Sequence, residues 1–161
     1  MPLDEIISIV IARHSANDPA TPDQLQEFEK RAGYVLPDDM RRFYLNCNGA
    51  ALFESDTSEP LVLLRVDEFE RARIAIFGDD DDTRGSPSCY VFCDRGDGDY
   101  FGIDLSASDT TLMNRPVYDI WHEAYPDMEY CGIVAWSFHE FLEIVLSCNP
   151  EDGFILPTLN S

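Results

Sequence analysis

Lysine is almost absent from this sequence: Lys30 is the only one among 11 Lys and Arg residues in 161. Against them stand 31 Asp and Glu residues, which leave a formal net charge of −20, and no Lys or Arg follows Arg115. Nucleic-acid binding depends on cations that neutralise phosphates, so this charge excludes a basic nucleic-acid-binding face. The same sign argument disfavours adhesion to anionic membranes. The binding partners that remain are a neutral small ligand, a metal or a basic macromolecule.

Long apolar runs and paired cysteine motifs are also missing. The N-terminal run Ile6–Ala12 is far below the ~20 residues of a membrane span, and acids rather than the cations of a secretory signal precede it. The cysteine number is odd and no C-x-x-C spacing occurs, which favours reduced, buried thiols over a disulfide or zinc site. We therefore expect a soluble, cytoplasmic protein with free cysteines at positions Cys47, Cys89, Cys93, Cys131 and Cys148.

The sequence offers no complete catalytic or metal-binding motif. His122-Glu123 and His139-Glu140 both lack the second histidine, four residues after the first, that a helical zinc site needs. No G-x-S-x-G elbow occurs, and the glycines at 96, 98 and 102 miss the dinucleotide-binding spacing. The Asp-rich runs 79–82 and 94–99 do not fit the twelve-residue calcium loop. Asp104, an acid among strand hydrophobics, is interpreted as solvent-facing or hydrogen-bonded. We predict no catalytic, cofactor or metal residues.

Helical signals dominate the first 50 residues. Apolar residues from Leu3 to Ile11 recur at helical spacing and predict one buried face. Thr21, followed by a proline and by Gln24, has the pattern of a capping box. A third helix is predicted from Pro37 to about Cys47, with the stop signal Asn48-Gly49 after it. Hydrophobic residues make up 45% of the chain, enough for a substantial core.

Strand patterns follow and a helix closes the chain. Strands are predicted at 61–64, 89–93, 100–105 and 117–121, with a turn at 95–98. Residues 67–77 fit a brief helix or a strand equally well, and 78–87 form a charged loop. Ser137 and Glu140 open a last helix, and an irregular tail covers 149–161. The order predicts a single α+β domain, 1–161, in which N-terminal helices pack on a central, mainly antiparallel sheet with a closing C-terminal helix.

Acids and aromatics beyond residue 50 form the predicted partner-binding set. Such mixtures are common in protein-binding faces, although aromatics in this pattern are more often plain core. We expect Trp121 and Tyr125 to be the central aromatics of the set. The four adjacent aspartates at 79–82 repel one another in a loop, so we expect them to add little to stability. The predicted set comprises Glu54, Asp56, Glu59, Asp79, Asp80, Asp81, Asp82, Asp94, Asp97, Asp99, Trp121, Glu123, Tyr125, Asp127, Glu129 and Tyr130.

The order of these pieces resembles the SUKH superfamily, which includes yeast cell-wall assembly regulators and many bacterial toxin-immunity proteins. The similar stretches span about residues 20–147. They are Leu36–Tyr44 with Asn48-Gly49, Gly98–Leu105, Pro116–Tyr118, and Ile133–Ala135 leading into Ser137–Leu142. The resemblance implies an α+β domain without catalytic residues. For bacterial single-domain members it implies neutralisation of a secreted toxin domain by direct binding.

The function predicted from the sequence is therefore that of an immunity protein. Its partner would be a cognate basic toxin domain, with a nuclease as the favoured type. A nuclease has a positive site that binds its polyanionic substrate, and an acidic surface complements such a site. The alternative is a non-catalytic regulatory module that binds a host protein. An enzyme ranks third.

Overall fold

The computed structural model describes residues 1–106 and 115–159. Three helices open the chain: α1 (Leu3–Arg13), α2 (Pro22–Ala32) and α3 (Asp38–Tyr44). The predicted capping box of α2 is confirmed, since Thr21 Oγ1 accepts from the Gln24 amide at 3.1 Å and Gln24 Oε1 accepts from the Thr21 amide at 2.8 Å. The third helix was predicted too long, because it ends at Tyr44.

Three further helices lie in the second half. They are α4 (Ala72–Phe77), α5 (Met128–Cys131) and α6 (Phe138–Leu146), and short 3-10 turns cover Val66–Glu68 and Pro150–Asp152. The sequence allowed a helix or a strand at 67–77, and the structure has a helix in the second half of this range. Ser137 caps α6 by accepting from the Glu140 amide at 3.0 Å. No helix in the described part of the chain is both long and apolar enough to cross a bilayer.

One antiparallel sheet runs through the described residues, and the predicted α+β class is confirmed. Its strands are β1 (Ser15–Ala16), β2 (Ala50–Leu52), β3 (Leu61–Leu63), β4 (Glu70–Arg71), β5 (Cys89–Asp94), β6 (Tyr100–Asp104), β7 (Val117–Ile120) and β8 (Ile133–Ala135). The order is β1-β2-β3-β5-β6-β7-β8, and β4 also pairs with β5. Strand β5 is therefore the centre of the fold.

The sheet carries a different cover on each face. Side chains of β5 and β6 alternate, so Phe92 and Phe101 join the large core beneath the long helices while Val91 points to the opposite face. In the large core, the Phe141 ring lies 5.3 Å from Phe92 and 5.0 Å from Phe101, centroid to centroid. The second face is covered by the short helices α4 and α5 and by the segment after β7, which supplies Ala124 and Tyr125. These buried residues form a smaller, second core.

Candidate functional site

Strand register brings three acidic segments to one end of the sheet. Leu52 pairs with Leu61, Val62 with Asp94, and Tyr100 with both Asp94 and Ile120. The turn 53–60, the hairpin turn 95–99 and the segment that starts at residue 121 therefore emerge side by side. We call this end of the sheet the loop end. Six acids of the predicted set lie on these segments, and Asp94, the last residue of β5, adjoins them; the six are Glu54, Asp56, Glu59, Asp97, Asp99 and Glu123.

A largely buried ion pair joins the hairpin to β7 at the loop end. Arg95 Nη1 lies 2.5 Å from Asp119 Oδ1, and the two side chains are only 11% and 15% exposed. The Arg95 guanidinium also lies over the Phe101 ring, 5.1 Å from its centroid. Burial raises the pKa of the Asp119 carboxyl above its ordinary value, although Arg95 acts in the opposite direction. The nearby carboxylates of Asp99 and Asp97 also raise this pKa, so burial and like charges together oppose the effect of Arg95.

A second contact fixes the same hairpin to the segment after β7. Asp99 Oδ1 accepts the backbone N–H of His122 at 2.9 Å and lies 2.9 Å from His122 Nδ1. The hydrogen bond and charge of Asp99 raise the pKa of the His122 imidazole above its ordinary value. Within the turn, Asp94 accepts from the Gly96 amide and Asp97 from the Asp99 amide. The acids of this hairpin therefore shape the turn that displays them.

Other acids of the predicted set remain available for a partner. Glu54, Asp56 and Glu59 on the turn 53–60 are exposed, as are Glu123 and Glu129. Within the described residues, no Arg or Lys forms an ion pair with any of these five side chains. His122 Nε2 lies 3.9 Å from Glu123 Oε1, and no Arg or Lys in the described part of the chain compensates the negative charge of the other four.

The aspartates at 79–82 lie apart from the loop end, beside the start of β5, and two of them, Asp80 and Asp82, form ion pairs. Asp80 Oδ2 accepts from Arg71 at 2.7 Å and its Oδ1 from Arg73 Nε at 2.5 Å, while Asp82 lies 2.8 Å from Arg73 Nη2. The Arg73 side chain is only 2% exposed. The expectation that this run adds little to stability is wrong, because Asp80 and Asp82 compensate a buried guanidinium. Asp79 and Asp81 are exposed.

The predicted aromatics occupy three different environments. Tyr125 is 4% exposed and packs in the second core, so the expectation that it is a surface aromatic is wrong. Its hydroxyl abuts Gly85 and has no hydrogen-bond partner among the described residues. Trp121 is half-buried and Tyr130 is 68% exposed. Asp127 is exposed and caps α5 by accepting from the Tyr130 amide at 3.1 Å.

Among the described residues, no three His, Cys, Asp or Glu side chains are placed to hold a metal. Burial raises the pKa of Cys47 to about 12 and that of Cys131 to about 11, so these thiols stay protonated and unreactive at neutral pH. Asp104 accepts from Ser88 and Ser106, as expected for a hydrogen-bonded strand aspartate.

Sequence reasoning missed the basic residues that organise this surface. Arg95, His122 and Arg73 were not in the predicted set, yet each holds an acidic segment in place. A usable signal was present for Arg95, which is the single cation in the acidic stretch 94–99. For Arg73 the sequence gives no such signal, since the surrounding Ala and Ile residues fit an ordinary amphipathic element.

Comparison with known proteins identifies the family. The profile of the SMI1 / KNR4 family (SUKH-1) matches residues 19–144. The chain belongs to this family. The resemblance to the SUKH superfamily inferred from the sequence is thereby confirmed. In this SMI1/KNR4 family member the matched region begins just before α2 and ends within α6, so it includes the whole loop end.

A similar protein has a name that bears on function. Immunity protein YokJ of Bacillus subtilis (strain 168) is 30% identical over 113 residues. The aligned region covers 70% of this SMI1/KNR4 family member and 66% of the relative, so the chain spans just under two thirds of that relative's length.

Proposed function

We propose that this chain is an immunity protein that binds and neutralises a secreted bacterial toxin domain. The observation that carries the proposal is the 30% identity to a protein named as an immunity protein. The family match and the absence of a complete catalytic motif agree with it. Residues 1–161 act as one binding domain without catalysis, and neutralisation takes place in the cytoplasm, where a nuclease would find its substrate.

The partner we propose is a basic toxin domain, specifically a nuclease. The support is the uncompensated charge at the loop end, where Glu54, Asp56 and Glu59 lie beside the hairpin turn 95–99. A nuclease presents positive potential because its substrate is a polyanion. Complementary potentials guide the encounter and raise association rates to about 10⁸–10⁹ M⁻¹s⁻¹ at low salt.

Co-expression with candidate toxins tests the role. Secreted proteins encoded next to this gene supply the candidates, through their C-terminal domains. The chain should restore growth to cells that produce its cognate toxin domain, and the purified pair should form a stable complex. Binding without protection, or protection without a complex, would contradict neutralisation by direct binding. A host protein as the sole partner would instead establish the regulatory alternative.

A charge variant with a matched control tests the electrostatic surface. Replacing Asp56 and Glu59 by Asn and Gln should slow association about fivefold at low salt and leave dissociation nearly unchanged. The control replaces Asp23 and Glu27, exposed acids on α2, by their amides. The difference should disappear in 1 M salt, where the Debye length is about 3 Å. Equal slowing in both variants would refute a role for the loop end.

A further inference from the structure

An exposed aromatic stack stands on the second face of the sheet. Trp121 is the first residue after β7 and Tyr130 lies on α5; their ring centroids are 5.9 Å apart and their planes differ by 28°. The backbone around the stack is tied down, because Trp121 O accepts from the Tyr125 amide and Asp127 caps α5. Buried Cys131 anchors the inner side of α5. The stack is thus a supported, outward-facing platform, with Tyr130 68% exposed.

Elsewhere in this protein, guanidinium groups already cover aromatic rings. Three arginines lie over phenylalanine rings at 5.4, 4.2 and 5.1 Å from the centroids, in the pairs Arg31–Phe28, Arg84–Phe77 and Arg95–Phe101. In the described part of the chain no cation lies over Trp121 or Tyr130. Among aromatic side chains, the ring face of Trp attracts cations most strongly.

Carboxylates surround this platform in the sequence. Glu123, Asp127 and Glu129 are exposed and lie within three residues of one or other ring. Glu123 has His122 Nε2 at 3.9 Å, but in the described residues no Arg or Lys forms an ion pair with any of the three, and the sequence contains neither residue type after Arg115. An aromatic face with exposed carboxylates close by in the sequence fits a guanidinium group, which can stack and donate several hydrogen bonds at once, better than it fits an ammonium.

We infer that the Trp121–Tyr130 stack is the docking site for an arginine side chain of the partner. The guanidinium lies on the exposed ring face and donates to the flanking carboxylates. As a statement about toxin recognition this rests on the proposed function, and it names an aromatic contact that the charge of the loop end does not supply. As a statement about arginine binding it stands on the geometry of the platform alone.

An oligo-arginine peptide tests the site without any toxin. The chain has two tryptophans, Trp121 and Trp136, so NMR resolves two indole N–H signals, and Trp136, 47% exposed, serves as an internal control. Titration should shift the Trp121 signal and leave that of Trp136 in place. An oligo-lysine peptide of equal length should bind several-fold more weakly. Equal shifts of both indoles, or equal affinity for both peptides, would overturn the inference.

Tyr130 provides the matched pair of variants, because its exposed side chain can be changed without opening the core. Tyr130→Ala should weaken oligo-arginine binding about fivefold, whereas Tyr130→Phe, which keeps the ring, should bind like the wild type. In the toxin assay, Tyr130→Ala should speed dissociation of the complex. If the wild type and Tyr130→Ala neutralise the toxin equally well, the docking site is refuted and the proposed function stays intact. A wild-type chain that binds oligo-arginine but no toxin would refute the proposed function only.

Discussion

Substitutions of the two partners of the Arg95–Asp119 ion pair should reduce the stability of the fold by unequal amounts. The side chains are 11% and 15% exposed, and the Arg95 guanidinium also covers the Phe101 ring. Arg95→Ala removes the ring contact and leaves a half-buried carboxylate without its cation. Removing one partner of a fully buried pair costs 3–5 kcal/mol, and partial exposure places this case at the lower end, about 3 kcal/mol.

Asp119→Asn should cost less, about 1 kcal/mol. The amide oxygen still accepts from Arg95, and the burial cost that raises the pKa of Asp119 disappears with the charge. The double variant should lose about 2 kcal/mol, less than Arg95→Ala alone, because it contains no uncompensated carboxylate. Adding Asp119→Asn to Arg95→Ala therefore restores part of the lost stability.

Urea denaturation followed by tryptophan fluorescence measures these differences as shifts of the midpoint at constant slope. The pH dependence gives a second check. Because the folded state raises the pKa of Asp119, the folded protein takes up this proton more readily than the unfolded chain does, and the wild type gains stability as the pH falls through the folded pKa. Asp119→Asn lacks this gain, so its deficit should grow in acid. Additive losses, or Asp119→Asn as costly as Arg95→Ala, would refute the reasoning.

Two further predictions concern the loop end and the scaffold. The imidazole of His122 should titrate above its ordinary pKa by NMR and return towards about 6.5 in Asp99→Asn; stabilisation from this contact is present below that value and is lost as the pH rises through the folded pKa. Gly49→Ala should cost about 3 kcal/mol, because its φ is +83° and a Cβ would lie 2.4 Å from the Leu63 carbonyl oxygen. Gly33→Ala, with φ +81° and open space, should cost about 1 kcal/mol in the same thermal or urea unfolding experiment; equal losses would contradict the clash.

Helix signals in the sequence are local, which explains why they could be read correctly. The capping residues Thr21 and Ser137 each act on an amide three residues away, and both helices begin where predicted. The short strands β1 and β2 could not be predicted, because two- and three-residue strands exist only through pairing across the chain, such as Ser15 with Ala51. Helix α5 is likewise a single turn held by Asp127.

The candidate site was predictable in composition but not in arrangement. The acids at 54–59 and 94–99 come together because β3 and β5 pair in one particular register, and nothing in the separate segments specifies that register. The buried position of Tyr125 was equally hidden, since an aromatic before a proline in a polar segment has the pattern of a surface turn. Its burial depends on packing against Gly85, forty residues away along the chain.

The two faces of the sheet differ in what holds them, and this has a consequence for redesign. The large phenylalanine cluster around Phe92, Phe101 and Phe141 belongs wholly to the helical side. The buried residues of 121–130 belong instead to the cluster on the second face, so the exposed side chains of this segment other than His122 and Asp127 can be exchanged while the scaffold keeps its principal source of cohesion. A combinatorial library confined to these positions, displayed on an otherwise unaltered chain, is therefore the economical route to binders with new specificities.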